Sequence, residues 1–344
     1  MKKIAITLLK IGLSAAIIAY LVWNAVRTKG GENVFANLLD QPKHWGLLAA
    51  AWLALASGTV LTFVRWWYLV RALGVPARGP RTIAVGFWGF LFNLAPLGVV
   101  GGDVVKAVML AREHPEHRVK VVASVVVDRV VGLYVLFLFA TGALLLTGLG
   151  SLPSTELRLI SRAVFLATAL GGLGIAAVLL PDVTGGRAAR ALGRIPRLGP
   201  PLENLLGAIR LYRHRLGTLA VAAVMTLGVH ALSAVGCYLI ARGLPGEVPS
   251  LAAHFVIIPL SVAGSVLPLP MGPFEFVLDF LYAHLPQAAA VAAGQGLIVA
   301  LAYRLINILI AAAGVLAAVV CSGKRREWID AIHEAEKGDT SNSC

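Results

Sequence analysis

Six ionisable side chains stand inside otherwise apolar runs of this chain: Asp103, Lys106, Asp128, Arg129, Glu275 and Arg304. Their formal charges sum to zero. Inside hydrocarbon each would cost several kcal/mol unless paired or hydrated. Two kinds of chemistry meet that requirement. The charges can pair with one another, Asp128 or Asp103 with Arg129 and Glu275 with Arg304, and so pin helices together. Alternatively, Arg129 and Arg304 can face a shared cavity and bind phosphate, for which a guanidinium fork is well shaped. The acids would then hold the arginines or exchange a proton during transport. Asp279, one helical turn after Glu275, reads as lying nearer the outer surface.

Both acids at the ends of this set sit beside a break in an apolar run. From Phe87 to Arg112 the run is interrupted by Asn93, Pro96, Gly98, Gly101, Gly102 and Asp103. From Phe255 to Leu285 it is interrupted by Pro268, Pro270, Gly272, Pro273 and Glu275. Proline removes a backbone donor and glycine loosens a helix. Broken backbone at membrane depth survives where protein buries it or where it lines a wet cavity. A helix that restarts after such a break adds N–H donors and a positive dipole end. Each stretch therefore reads as a re-entrant hairpin, with Pro96, Gly101, Gly102, Pro268, Pro270 and Gly272 as structural breaks.

The elements that must position these residues are long apolar helices. Spans are expected at about 4–22, 46–70, 121–149, 159–180, 219–240 and 291–320. The aromatic and cationic cluster Arg65-Trp66-Trp67-Tyr68 reads as an interfacial exit from the second of these. The stretch between Val26 and Trp45 reads as a polar loop. Segment 181–217 carries seven arginines, Arg187, Arg190, Arg194, Arg197, Arg210, Arg213 and Arg215. It reads as a cytoplasmic loop or a surface amphipathic helix, with both termini also inside. The first hairpin then enters from the cytoplasmic side and the second from the outer side.

The two halves superpose in pattern. Pro96 to Asp103 and Pro268 to Glu275 are both seven residues; Pro96 to Arg129 is 33 and Pro268 to Arg304 is 36. Each half reads as span, break, acid, span with arginine, inserted in opposite directions. That is the arrangement of transporters whose site lies between inverted repeats. The transmembrane domain is expected over 1–323, with repeats at about 46–150 and 219–321, and a polar cytoplasmic tail over 324–344.

Composition agrees with a polytopic all-α membrane protein: 58% hydrophobic residues, 14% charged, mean hydropathy +0.81. A barrel would alternate with period two. The net charge of +13 fits cytoplasmic loops against anionic lipid, and no nucleic-acid module is visible. Cys237, Cys321 and Cys344 lack metal or disulfide spacing, and Cys237 reads as a packed helix residue. His114-x-x-His117 has helical spacing but falls in a charged loop, so solvated histidines are expected. His230 and His254 read as packed or interfacial. No P-loop, dinucleotide fingerprint or nucleophile elbow is present. No cofactor and no metal is expected.

The residues Asn93-x-x-Pro96, Gly101-Gly102-Asp103-x-x-Lys106, Asp128-Arg129-x-x-Gly132 and Pro268…Gly272-x-x-Glu275 resemble the flippase-like membrane domain. That is the transmembrane region of lysylphosphatidylglycerol synthases, which also occurs alone. The resemblance covers nearly the whole chain. It implies re-entrant helices and movement of lipids between leaflets, with Asn93, Asp103, Asp128, Arg129, Glu275 and Arg304 as functional residues. The family often has Arg where Lys106 stands and a glycine pair where Leu269-Pro270 stands. The soluble aminoacyl-transferase domain is missing from the sequence, so lysylphosphatidylglycerol synthesis is not expected.

These readings converge on lipid translocation across the cytoplasmic membrane, of a phosphate-bearing or otherwise anionic lipid. The expected substrate-binding residues are Asn93, Asp103, Lys106, Asp128, Arg129, Glu275 and Arg304. Membrane lipids are the expected partners, with a homo-oligomer or coupling to a lipid-modifying enzyme as further associations and no nucleic acid. The alternatives are an integral-membrane transferase acting on a lipid carrier and an accessory subunit whose charges only pair.

Overall fold

The computed structural model describes residues 2–27, 34–94, 101–148, 155–179, 207, 210–265, 269, 271–285 and 291–322. Pro96, Gly98, Pro268, Pro270, the tail 324–344 and most of 181–217 lie outside the described residues. Every regular element among the described residues is helical. In chain order these are α1 (Lys2–Arg27), α2 (Val34–Asp40), α3 (Trp45–Ala72), α4 (Gly79–Leu94) and α5 (Gly101–Glu113). A 3₁₀ turn (Pro115–His117) leads into α6 (Arg118–Thr147) and α7 (Thr155–Leu179). Then follow α8 (Leu216–Gly243), α9 (Leu251–Gly264), α10 (Pro273–His284) and α11 (Gln295–Ser322).

Five helices among the described residues are long and apolar enough to cross a membrane: α3, α6 with its leading turn, α7, α8 and α11. A 28-residue helix such as α3 or α8 is about 42 Å long at 1.5 Å per residue, more than the ~30 Å hydrocarbon core. Apolar side chains on their outer faces, among them Leu145, Leu146, Leu166, Leu173, Leu316 and Val320, are exposed. In water such surface would be unfavourable; in lipid it is the ordinary exterior. The chain is a multi-pass membrane protein. In α1, 26 residues long, Gly12–Val26 forms a further apolar stretch. The segment read as a polar loop after α1 contains α2, whose Val34 packs with Ala25 and Ile298.

α4 (16 residues), α5 (13), α9 (14) and α10 (12) are too short to span. At about 24, 20, 21 and 18 Å, none reaches across a ~30 Å core. They form two antiparallel hairpins. In the first, Gly89 packs on Gly102 and Lys106, and Arg81 at the open end pairs with Glu113 at 2.6 Å. In the second, Gly264 packs on Pro273 and Val277, and His254 meets Tyr282 at 2.6 Å.

The centre of the molecule is the antiparallel seam of α3 against α8. His44 opposes Gly243, Leu55 opposes Gly236, Gly58 opposes Leu232, Leu61 opposes Gly228 and Arg65 opposes Thr226. Small residues let the two backbones approach closely, as membrane helix pairs require. α3 to α6 and α8 to α11 have the same order of long, short, short and long helices. The seam sets them in opposite directions. Their packing is mirrored: α4 lies on α11, and α9 lies on α6. α7 packs on α6, while α1 lies against α10 and α11.

Candidate functional site

The two hairpins place their acids identically. Asp103 is the third residue of α5 and Glu275 the third residue of α10. A carboxylate in a first turn is favoured by the helix dipole. Each is bonded by the Nε–H of an arginine on the long helix that follows: Arg129 of α6 donates to Asp103, and Arg304 of α11 donates to Glu275 at 2.6 Å. So the expected arginine–acid pairs form, with Asp103 rather than Asp128 on Arg129.

Local sequence explains this placement. Gly102 lies under α4, where a Cβ would strike the Gly89 carbonyl oxygen and the Asn93 amide. Its N–H donates to Asn93 Oδ1 at 3.0 Å, which ties the end of α4 to the start of α5. Gly272 has φ +111°, outside the range that a side chain tolerates readily. From there its N–H donates to Glu275 Oε2 at 2.8 Å. Glu275 thus holds Arg304 with one oxygen and its own helix start with the other. It has no exposed surface, which makes it a positioning group in this conformation.

Asp128 has a different partner. Arg65 of α3 donates from Nε to Asp128 Oδ1 at 2.9 Å and from Nη1 to Thr226 Oγ1 of α8 at 2.7 Å. The side chains of Arg65 and Asp128 are 6% and 4% exposed. Arg65 is therefore a core residue, not the interfacial one that its aromatic neighbours suggested. Trp66 is buried with it and donates Nε1–H to Ser124 Oγ at 3.2 Å. Gly132 faces this pair: a Cβ there would lie in ordinary contact with the Arg65 guanidinium, 3.7 Å away.

Lys106 completes the cluster. Its ammonium lies 3.0 Å from Asp103 and 3.5 Å from Asp128, and 4.9 Å above the Trp66 ring. A continuous chain of charges results: Arg65, Asp128, Lys106, Asp103, Arg129. Three cations against two anions leave it at +1, where the six charges read from the sequence alone balance. The second half contributes the neutral pair Glu275 and Arg304.

A cavity of about 220 Å³ lies where the hairpin ends meet. Asn93 from the end of α4, Ser265 after α9, Phe274 of α10, and Tyr303, Arg304 and Asn307 of α11 line it. Of the seven expected binding residues, the structure brings Asn93 and Arg304 to this cavity. Glu275 stands behind Arg304, and Lys106, Asp103, Asp128 and Arg129 belong to the charge chain. Arg129 is the most open of these, with 46% of its side chain exposed. Asn307, Ser265 and Tyr303 were not among the expected binding residues. The signal for Asn307 was its position three residues after Arg304 in an apolar helix.

Other polar residues have structural roles. Asp279 is buried: its Oδ1 accepts the Leu297 N–H at 2.9 Å and caps the start of α11. Cys237 is fully buried, as expected of a packed helix residue. His254 is fully buried between the Ser250 carbonyl and the Tyr282 hydroxyl. His114 and His117 lie at the 3₁₀ turn, both half-buried. Among the described residues no group of three or more His, Cys, Asp or Glu is placed to hold a metal ion.

No curated protein matches the chain. The family model described as "Lysylphosphatidylglycerol synthase TM region" matches residues 8–314, which span both hairpins, the seam and every residue of the site. The chain belongs to the lysylphosphatidylglycerol synthase transmembrane-region family.

Proposed function

We propose that this protein moves an anionic lipid, one bearing a phosphate or a similar group, between the leaflets of the cytoplasmic membrane. The observation that carries this reading is the cavity between the two hairpin ends, lined by Asn93 from one half and Arg304 from the other. An inverted repeat can rock about such a site and expose it to each side in turn. The short hairpins act as re-entrant segments. The N-termini of α5 and α10 would then come to membrane depth, where anions are otherwise poorly solvated. The formal surplus of +1 in the neighbouring charge chain favours a negative headgroup over a positive one. Membership of a family named for a lipid-modifying membrane protein supports a lipid substrate.

Arg304 supplies the fork and Glu275 keeps it extended. Asn93 adds an amide from the opposite half, so a bound headgroup would touch both repeats. Arg129 and Lys106 act in the first half as the reserve of positive charge along the path.

Purified protein in vesicles with tail-labelled anionic lipid tests this. Addition of a membrane-impermeant quencher measures exchange between leaflets. Wild type should abolish the protected half of the signal within minutes. Arg304→Ala should slow exchange at least tenfold, and Arg304→Lys should do nearly as much because a point charge replaces a fork. Wild-type exchange in both variants, with the protein folded, would refute the reading.

A further inference from the structure

The cavity at the hairpin ends holds more than a phosphate. Its volume is about 220 Å³. Its polar lining also offers two kinds of partner. Arg304 is a donor. Asn93 accepts the Gly102 N–H through Oδ1, which orients its amide and leaves the NH₂ end as a donor. Asn307 is oriented the other way: its Nδ2 donates to the Tyr303 carbonyl at 2.8 Å, which leaves Oδ1 as an acceptor. The Ser265 hydroxyl donates to the Val262 carbonyl at 2.6 Å, so its oxygen too can accept.

A phosphate oxygen only accepts and cannot satisfy Asn307 or Ser265. An ammonium only donates and could satisfy them, but it would have to be desolvated beside the Arg304 charge. Among the described residues no carboxylate lines the cavity to offset that cost, since Glu275 is wholly buried behind Arg304. A hydroxyl both donates and accepts without charge. The apolar remainder of the wall includes Phe274 and Tyr303, which stack on each other with centroids 5.2 Å apart.

We infer that this cavity binds a phosphate ester bearing neutral hydroxyl groups, a sugar or polyol phosphate, and selects against ammonium-bearing headgroups. The inference rests on the anionic-lipid reading and deepens it. The phosphate meets Arg304 and Asn93, while the hydroxyls meet Asn307 and Ser265.

The test compares four tail-labelled lipids with identical acyl chains in the same vesicles: phosphatidic acid, phosphatidylethanolamine, phosphatidylglycerol and phosphatidylinositol. The last two should exchange at least tenfold faster than the first two, a difference of about 1.4 kcal/mol in the selecting step. Asn307→Leu should bring that ratio below about threefold. Ser265→Ala, a smaller change, should lower it in the same direction. A second arm follows uptake of radiolabelled glycerol phosphate and inositol phosphate into the vesicles. Uptake of the soluble esters without lipid exchange would keep the site chemistry, assign the ligand to the free ester and overturn the lipid reading. Equal exchange of phosphatidic acid and phosphatidylinositol, still dependent on Arg304, would overturn this inference and leave the anionic-lipid reading intact. Phosphatidylethanolamine as the fastest substrate would also overturn it. No movement of any lipid or ester would overturn both.

Discussion

Arg65 is the residue whose loss should reveal most about the charge chain. It carries the only guanidinium that joins α3 to both α6 and α8 among the described contacts, through Asp128 at 2.9 Å and Thr226 at 2.7 Å. Arg65→Met keeps the length and removes the charge. Asp128 is then left buried, with Lys106 at 3.5 Å and the charge of Arg129 nearby. Removing one partner of a buried pair costs roughly 3–5 kcal/mol. Lys106 offsets part of that, and the lost Thr226 bond adds about 1 kcal/mol. The expected cost is therefore about 3 kcal/mol. Asp128→Asn should cost a similar amount, since it leaves Arg65 buried with a neutral partner. The double variant removes both charges and should cost about 2 kcal/mol less than the sum of the two. Reversible unfolding in bicelles, with the four proteins compared as a cycle, measures that coupling. Thr226→Val serves as the control for the hydroxyl and should cost about 1 kcal/mol. Additivity within about 0.5 kcal/mol would show that the pair is energetically independent and would refute the chain.

Three further outcomes follow from named contacts. Gly102→Ala drives a methyl group into the Gly89 carbonyl and the Asn93 amide, so it should separate α4 from α5. The loss, about 1–3 kcal/mol, should appear in unfolding measurements together with slower lipid exchange. Gly272→Ala must adopt φ +111° with its Cβ 3.0 Å from Ile17, and should cost about 1–3 kcal/mol in the same assay. Tyr282→Phe removes the 2.6 Å partner of the fully buried His254. It should destabilise by about 1–3 kcal/mol, visible as earlier hydrogen exchange in α9 and α10.

Much of this architecture was legible in the sequence because lipid imposes simple rules. A helix must satisfy its backbone internally and stay apolar for about twenty residues, so α3, α6, α7, α8 and α11 stand out from hydropathy alone. Breaks within such runs are conspicuous, which is why both hairpins and their acids could be found. The equal spacing from proline to acid anticipated that Asp103 and Glu275 would each stand third in a short helix, and the pairing of Glu275 with Arg304 followed from the cost of a lone charge.

What the sequence could not decide was which charges meet across the fold. Arg65 lies 63 residues from Asp128 and 161 from Thr226, and no local pattern links them. Its neighbours Trp66, Trp67 and Tyr68 are the residues expected at an interface, and only the seam with α8 turns Arg65 inward. Asn307 and Ser265 are ordinary polar residues, each bonded to a carbonyl of its own helix, until the fold sets them on one cavity with Asn93 and Arg304. The sequence alone determined that charges and breaks had to be accommodated at membrane depth. Tertiary packing decided which of them are spent on one another and which line the cavity, because pairing in a low dielectric depends on distances of a few ångströms.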